Sequence, residues 1–163
     1  MQVTSVSHSL DLELAEFLVE AKSNTYAALG DEASVAAALD GSKQLEYRRG
    51  AYFYRDVYFG MFRFAGQETV YRNTQPIWTM VYSGGAVGEV GDEEAKESFD
   101  FLREALRLVG KDRPFRGPSV YRKGRFSYFD ESEETIRIFR GVERINRDET
   151  LIYRLDYAGG LIR

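Results

Sequence analysis

Cysteine is absent from this 163-residue chain. Thiolate nucleophiles, disulfides and sulfur-ligated metals are excluded with it. The absence suits a reducing cytoplasm, which is the expected compartment. Histidine occurs once, as His8, in a polar N-terminal stretch that reads as an inert tail. One histidine cannot build a histidine-based triad or a multi-histidine metal site. Apolar runs of about 18 residues are also missing, so no membrane span is expected. The opening residues have neither the basic nor the apolar stretch of a signal peptide, and none is expected. Positive charge is in deficit: 22 Lys and Arg stand against 26 Asp and Glu, a net charge of −4. Direct nucleic-acid binding, which needs a broad basic face, is therefore not expected.

Aromatic residues, by contrast, are abundant: 11 Tyr, 11 Phe and one Trp. They suit pleated, half-buried surfaces, and they also suit ligand cages. They recur in order. Tyr47-Arg-Arg-Gly-Ala-Tyr-Phe-Tyr-Arg-Asp56 is echoed by Tyr121-Arg-Lys-Gly-Arg-Phe-Ser-Tyr-Phe-Asp130. Phe64-Ala-Gly-Gln-Glu-Thr-Val70 is echoed by Phe139-Arg-Gly-Val-Glu-Arg-Ile145, and Trp78 to Gly85 by Tyr153 to Gly160. The offset is 74 or 75 positions through this region. Internal repetition implies two copies of one unit related by a pseudo-twofold axis, with a seam between them where a cleft can form.

The period of the apolar residues defines the unit. Leu14, Phe17, Leu18 and Ala21 fall on one stripe of a helix over 11–21, with Asp11 as its N-cap. Phe101, Leu102, Ala105 and Val109 mark a second helix over 93–109, closed by Gly110. After each helix the period becomes two. Strands are expected near 45–48, 51–59, 61–71 and 77–83, then near 119–123, 125–131, 134–145 and 150–157. The 22–44 segment resists reading beyond turns at Gly30-Asp31 and Asp40-Gly41, and is expected as an excursion inserted into the first copy. The chain is thus read as one α+β domain of two repeats, 11–87 and 92–163. Each repeat is a helix followed by a four-stranded antiparallel sheet.

Strand parity singles out two carboxylates. Phe64, Gly66, Glu68 and Val70 share one face, as do Phe139, Gly141, Glu143 and Ile145. A carboxylate on an apolar face needs a partner or a raised pKa. Glu68 and Glu143 are therefore candidate ligand-binding residues at a shared cleft. In the structural alternative each is neutralised by Arg72, Arg147, Tyr82 or Tyr157. Trp78, Tyr82, Tyr153 and Tyr157 stand near the seam as candidate cage walls and hydroxyl donors. Asp56 and Asp130 read as strand ends; joining them to the glutamates would make a divalent-ion cluster, but no metal-loop spacing supports it. No cofactor motif is present either, since Gly84-Gly85 and Gly159-Gly160 read as turns. Arg113-Pro-Phe-Arg116-Gly-Pro118 is a stiff basic loop that either clamps an anion or covers a sheet end.

Taken together, several motifs resemble one uncharacterised prokaryotic family, the domain of unknown function family numbered 5680. They are Tyr47-x-x-Gly50, Tyr54-x-Asp56-x-Tyr58-x-Gly60, Phe64-Ala-Gly66-x-Glu68-x-Val70, Pro76-x-Trp78-x-Met80-x-Tyr82-x-Gly84, Arg116-Gly117-Pro118 and the closing Gly159-Gly160-Leu161-Ile162. The resemblance implies a domain that occurs alone or behind a Cro-type helix-turn-helix, with a sensory or accessory role near transcription. It implies no activity and no catalytic residues. Ala51 and Val81 depart from its pattern, where an acidic residue and Asn are expected.

Three functions fit these residues. The first is a small-molecule-binding module with an aromatic, carboxylate-bearing cleft for a small cationic or amphipathic ligand. The second is a protein-interaction or oligomerisation module, with a homodimer formed through a sheet face or edge. The third is an enzyme that uses carboxylate and tyrosine acid–base chemistry without histidine, cysteine or metal. The reading favours a non-catalytic module.

Overall fold

A computed structural model describes residues 3–88 and 91–162, without the side chains of residues 3–8, Asp31, Ala33 and Glu134. The side chain of His8 thus lies outside the described set. Helix α1 runs Val3–Ser23 and includes the stretch read as a tail. Asp11 is therefore inside the helix rather than at its N-cap, and pairs with the Arg137 guanidinium at 2.8 Å. Leu14, Phe17, Leu18 and Ala21 are buried as their spacing predicts. The unreadable segment forms a one-turn helix α2 (Tyr26–Leu29), a 3₁₀ turn (Gly30–Ala33) and a two-residue strand β1 (Ser34–Val35). Strands β2 (Lys43–Arg49), β3 (Tyr52–Gly60), β4 (Arg63–Arg72) and β5 (Gln75–Ala86) follow. Helix α3 (Asp92–Leu106) leads to β6 (Val120–Lys123), β7 (Phe126–Thr135), β8 (Ile138–Arg147) and β9 (Thr150–Leu161).

The strands form one antiparallel sheet in the order β1-β2-β3-β4-β5-β9-β8-β7-β6. The expectation gave each helix its own sheet. Instead β5 pairs with β9 along nine positions, from Trp78 opposite Leu161 to Ala86 opposite Tyr153. Tyr82 faces Tyr157 at the middle of this ladder. Two exposed edges would each present unpaired N–H and C=O groups, and pairing them satisfies both. The join is therefore a hydrogen-bonded ladder, and the cavity described below lies beside it.

One face of the sheet is the core. Tyr52, Tyr54, Asp56 and Tyr58 of β3 alternate onto it, with Val70 of β4, Trp78, Met80 and Tyr82 of β5, and Tyr153, Leu155 and Tyr157 of β9. Both long helices pack on this face through matching aromatic stacks. Phe17 stacks on Tyr52 with ring centroids 5.0 Å apart, and Phe101 on Phe126 at 5.2 Å and Tyr121 at 5.4 Å. Such pairs add about 0.5–1.5 kcal/mol each beyond their buried area. The opposite face carries exposed Val81 and surface ion pairs such as Arg55–Glu46 and Arg154–Asp156.

Candidate functional site

The core face carries four buried carboxylates, two on each side of the join. Asp56 lies opposite Glu68 in the β3–β4 pair, and Asp130 lies opposite Glu143 in the β7–β8 pair. All four are at most 6% exposed. The aspartates do not end strands, as their sequence context suggested. They sit in mid-strand, where the period of two turns them inward with their aromatic neighbours.

Glycine decides how they are reached. Gly66 lies opposite Tyr82 across the β4–β5 pair, and Gly141 opposite Tyr157 across β8–β9. A Cβ on Gly66 would lie 2.6 Å from the Tyr82 ring carbon Cζ, and one on Gly141 would collide with the Tyr157 ring. The space beside each glutamate is thus filled by a tyrosine lying across the glycine. Its hydroxyl reaches the aspartate: Tyr82 donates to Asp56 Oδ1 at 2.6 Å, and Tyr157 to Asp130 Oδ1 at 2.8 Å.

From here the two clusters differ. Around β7 and β8 every carboxylate oxygen is taken. Arg116 donates to Glu143 through Nε (3.1 Å) and Nη2 (2.9 Å). Tyr128 (2.6 Å) and Tyr153 (2.8 Å) donate to the same carboxylate. Tyr128 also accepts the Gly117 N–H at 2.9 Å. Arg113 binds Asp130 Oδ2 at 2.8 Å. The stiff basic loop therefore clamps the protein's own carboxylates. Around β3 and β4 the filling is thinner. Glu68 pairs with the ammonium of Lys22, from the last turn of α1. Among the described residues, Asp56 Oδ2 and the Tyr54 hydroxyl have no hydrogen bond, and both side chains line a cavity.

This cavity has a volume of about 500 Å³. Its floor is Tyr54, Asp56, Glu68 and Tyr82 from the sheet, with Lys22 and Arg116 beside them. Tyr58, Phe62, Phe64, Phe99, Leu102 and Phe115 give it an apolar wall. Helix α2 and the following turn cover it, and Arg107 at the end of α3 holds α2 by donating to the Ala27 carbonyl at 2.7 Å. Lys43, Lys96, Arg103 and Asp100 stand at its margin.

Burial, reinforced by the charge of Glu68, pushes the Asp56 carboxyl up to about 7, against the pull of Tyr82, Lys22 and Arg116. Burial and the nearby Glu143 raise Asp130 to about 7 as well. Burial pulls Lys22 below the usual lysine value, with Glu68 opposing. Burial also opposes the Arg116 charge, but Glu143 and the tyrosines outweigh it and the guanidinium is held more firmly charged. Tyr54 and Tyr82, raised mainly by burial, remain hydroxyl donors.

Of the six residues singled out in the sequence, Glu68 and Tyr82 line the cavity. Glu143, Tyr153 and Tyr157 belong to the closed cluster. Glu68 and Glu143 stand on β4 and β8, three strand spacings apart, and the registers set Phe139 across from Glu68, four residues along β8 from Glu143, so about 20 Å separates their backbones. Trp78 is fully buried, stacks on Phe139 at 5.5 Å and donates from Nε1 to the Ile136 carbonyl at 3.1 Å. Arg72 and Arg147 serve neither glutamate: they pair with Glu13 and Glu94. Lys22 was missed, yet it was signalled. It stands four residues after Leu18 on the buried stripe of α1, where a charge has no reason to be unless it meets one. Among the described residues no group of three or more His, Asp or Glu could hold a metal ion. No described helix is long and apolar enough to cross a membrane.

The sequence model of one family, Domain of unknown function (DUF5680), matches residues 56–162. The chain belongs to this family. Comparison with curated proteins and with solved structures gives no match. The DUF5680 match opens at Asp56 and spans Glu68, Tyr82, Arg113, Arg116, Asp130 and Glu143. Tyr54 and Lys22, which complete the open cluster, precede it. The DUF5680 region therefore supplies one whole carboxylate cluster and most of the second, and α1 supplies the remaining cation.

Proposed function

We propose that the protein is a small-molecule-binding module whose ligand enters the cavity between the sheet and helices α2 and α3. The observation that carries this reading is the unpartnered Asp56 Oδ2 at the floor of an aromatic-walled cavity of about 500 Å³. Pockets of this size with a few convergent polar groups are the usual form of a small-molecule site. Charge selects the ligand. Arg116 and Glu143 cancel, while Asp56 and Glu68 face the single ammonium of Lys22. With Asp56 ionised the floor holds one negative charge, which an organic cation with an apolar body would neutralise. Glu68 and Tyr82 then act as positioning residues, the first holding Lys22 and the second holding Asp56.

We further infer that the chain arose by tandem duplication of a helix plus a four-stranded unit. The support is the echoed motifs, the two Asp–Glu registers and the strand order that reads alike outward from β5 and β9. On that reading one copy closed its cluster with the 110–118 loop, and the other left a site open. A fluorescent amine, 2-(2-naphthyl)ethylamine, tests the function by titration calorimetry at pH 7.5. The wild-type protein should bind it, and Asp56→Asn should weaken binding by about tenfold or more, the loss of one charge-assisted contact. Equal affinity in both proteins would place the amine elsewhere and end the proposal.

A further inference from the structure

The cavity floor has a second pole that the cation leaves unused. Arg116 grips Glu143 through Nε and Nη2. Its Nη1 has no hydrogen bond among the described residues, although the residue is only 9% exposed and lines the cavity. The guanidinium carbon lies 5.9 Å from the centroid of the Tyr82 ring, and the hydroxyl of that ring holds Asp56. Asp56 meets the hydroxyl end of Tyr82 and the Arg116 guanidinium stands by its ring, so one tyrosine touches both an acceptor and a donor group of the cavity. A ligand that met only Asp56 would strip water from the Arg116 donor and give nothing back, which is costly for a charged group.

We propose that the ligand head is an amine with a neighbouring uncharged oxygen acceptor, a hydroxyl or carbonyl, so that nitrogen meets Asp56 and oxygen meets Arg116. This rests on the cation-binding reading above. Charge distinguishes the neutral acceptor from a carboxylate. One ammonium already neutralises the floor, and a carboxylate would restore a buried net negative charge. The Tyr54 hydroxyl, which has no hydrogen bond of its own, is a further donor for the same oxygen.

Three probes with one naphthyl body separate the cases: 2-(2-naphthyl)ethylamine, 2-amino-3-(2-naphthyl)propan-1-ol and 3-(2-naphthyl)alanine. Affinities are measured by calorimetry at pH 7.5 on the full chain. The amino alcohol should bind about tenfold tighter than the amine, the worth of one hydrogen bond to a charged group. The amino acid should bind more weakly than the amino alcohol. Arg116→Lys, which removes the planar fork but keeps the charge, should shrink the alcohol–amine gap to about twofold. Equal binding of alcohol and amine, or a gap that survives Arg116→Lys, overturns the two-pole head and leaves the cation site standing. Failure of all three probes to bind removes the cation site and the two-pole head together. The probe order in the unaltered protein decides the matter even if Arg116→Lys does not fold.

Discussion

Asp56 and Asp130 occupy matching registers, yet only one of them is closed off. Their shared elevation gives a pH signature. A carboxyl near 7 in the folded state and near 4 when unfolded binds more protons folded, so stability falls as pH rises between those values. The melting temperature should therefore rise on going from pH 8 to pH 6. Carboxylates held low by surface partners, such as Asp148 with Arg125 and Asp156 with Arg154, lose their contribution only as pH falls through about 4. They do not offset the trend in that window. Asp56→Asn should remove part of the slope while keeping the Tyr82 bond; a melting scan across pH on both proteins checks this, and an unchanged slope would mean Asp56 stays ionised. Glu143 is the harsher case. It is fully buried and holds Arg116, Tyr128 and Tyr153 at once. Glu143→Gln leaves a buried guanidinium uncompensated and should cost about 3–5 kcal/mol in urea unfolding.

At the scale of elements, the helices stabilise the sheet through single aromatic anchors. Phe101 lies between Tyr121 and Phe126, 4% exposed. Phe101→Ala should cost about 3–5 kcal/mol, and a loss under about 1 kcal/mol would show that α3 packs loosely. Gly66 has a different role: it is the bed on which the Tyr82 ring lies. Gly66→Ala must displace that ring or the strand. It should lower the melting temperature and also weaken amine binding, because Asp56 loses its positioning hydroxyl. Loss of stability with binding intact would show that Tyr82 does not hold Asp56 in place. The 110–118 loop is an element without regular structure whose order comes from Arg113 and Arg116 gripping Asp130 and Glu143.

For the whole molecule, the β5–β9 ladder joins β1–β5 and β6–β9 into one sheet. Each half alone would expose a long central strand as an edge, a ready template for aggregation. Helix α3 also contributes its Phe99 and Leu102 to a cavity whose floor is mostly β3 and β4. Fragments cut between β5 and α3 should therefore be unfolded or aggregated when made separately. Co-expressed, they should recover the native circular dichroism and elute together on gel filtration. A first fragment that folded as a stable monomer would show that the ladder is not needed for stability.

How much of this was legible follows from range. Period and spacing are local, so the helix stripe at Leu14, Phe17, Leu18 and Ala21 and the alternation of β3, β4, β5 and β9 stood in the sequence. So did the inward parity of Glu68 and Glu143, since one residue's shift would turn a whole strand over. The family resemblance, carried by the motifs from Tyr47 to Ile162, was legible for the same reason. The partners of those carboxylates were not. Lys22 reaches Glu68 across 46 positions and Arg116 reaches Glu143 across 27, and no period links a helix end or a loop to a strand. The pairing of β5 with β9 depends on which edges are left to satisfy, a property of the assembled sheet. Which cluster is sealed and which stays open is likewise tertiary. The strands write nearly the same polar residues twice, and only the packing of the 110–118 loop against one and of α1 and α2 against the other distinguishes a closed core from a cavity.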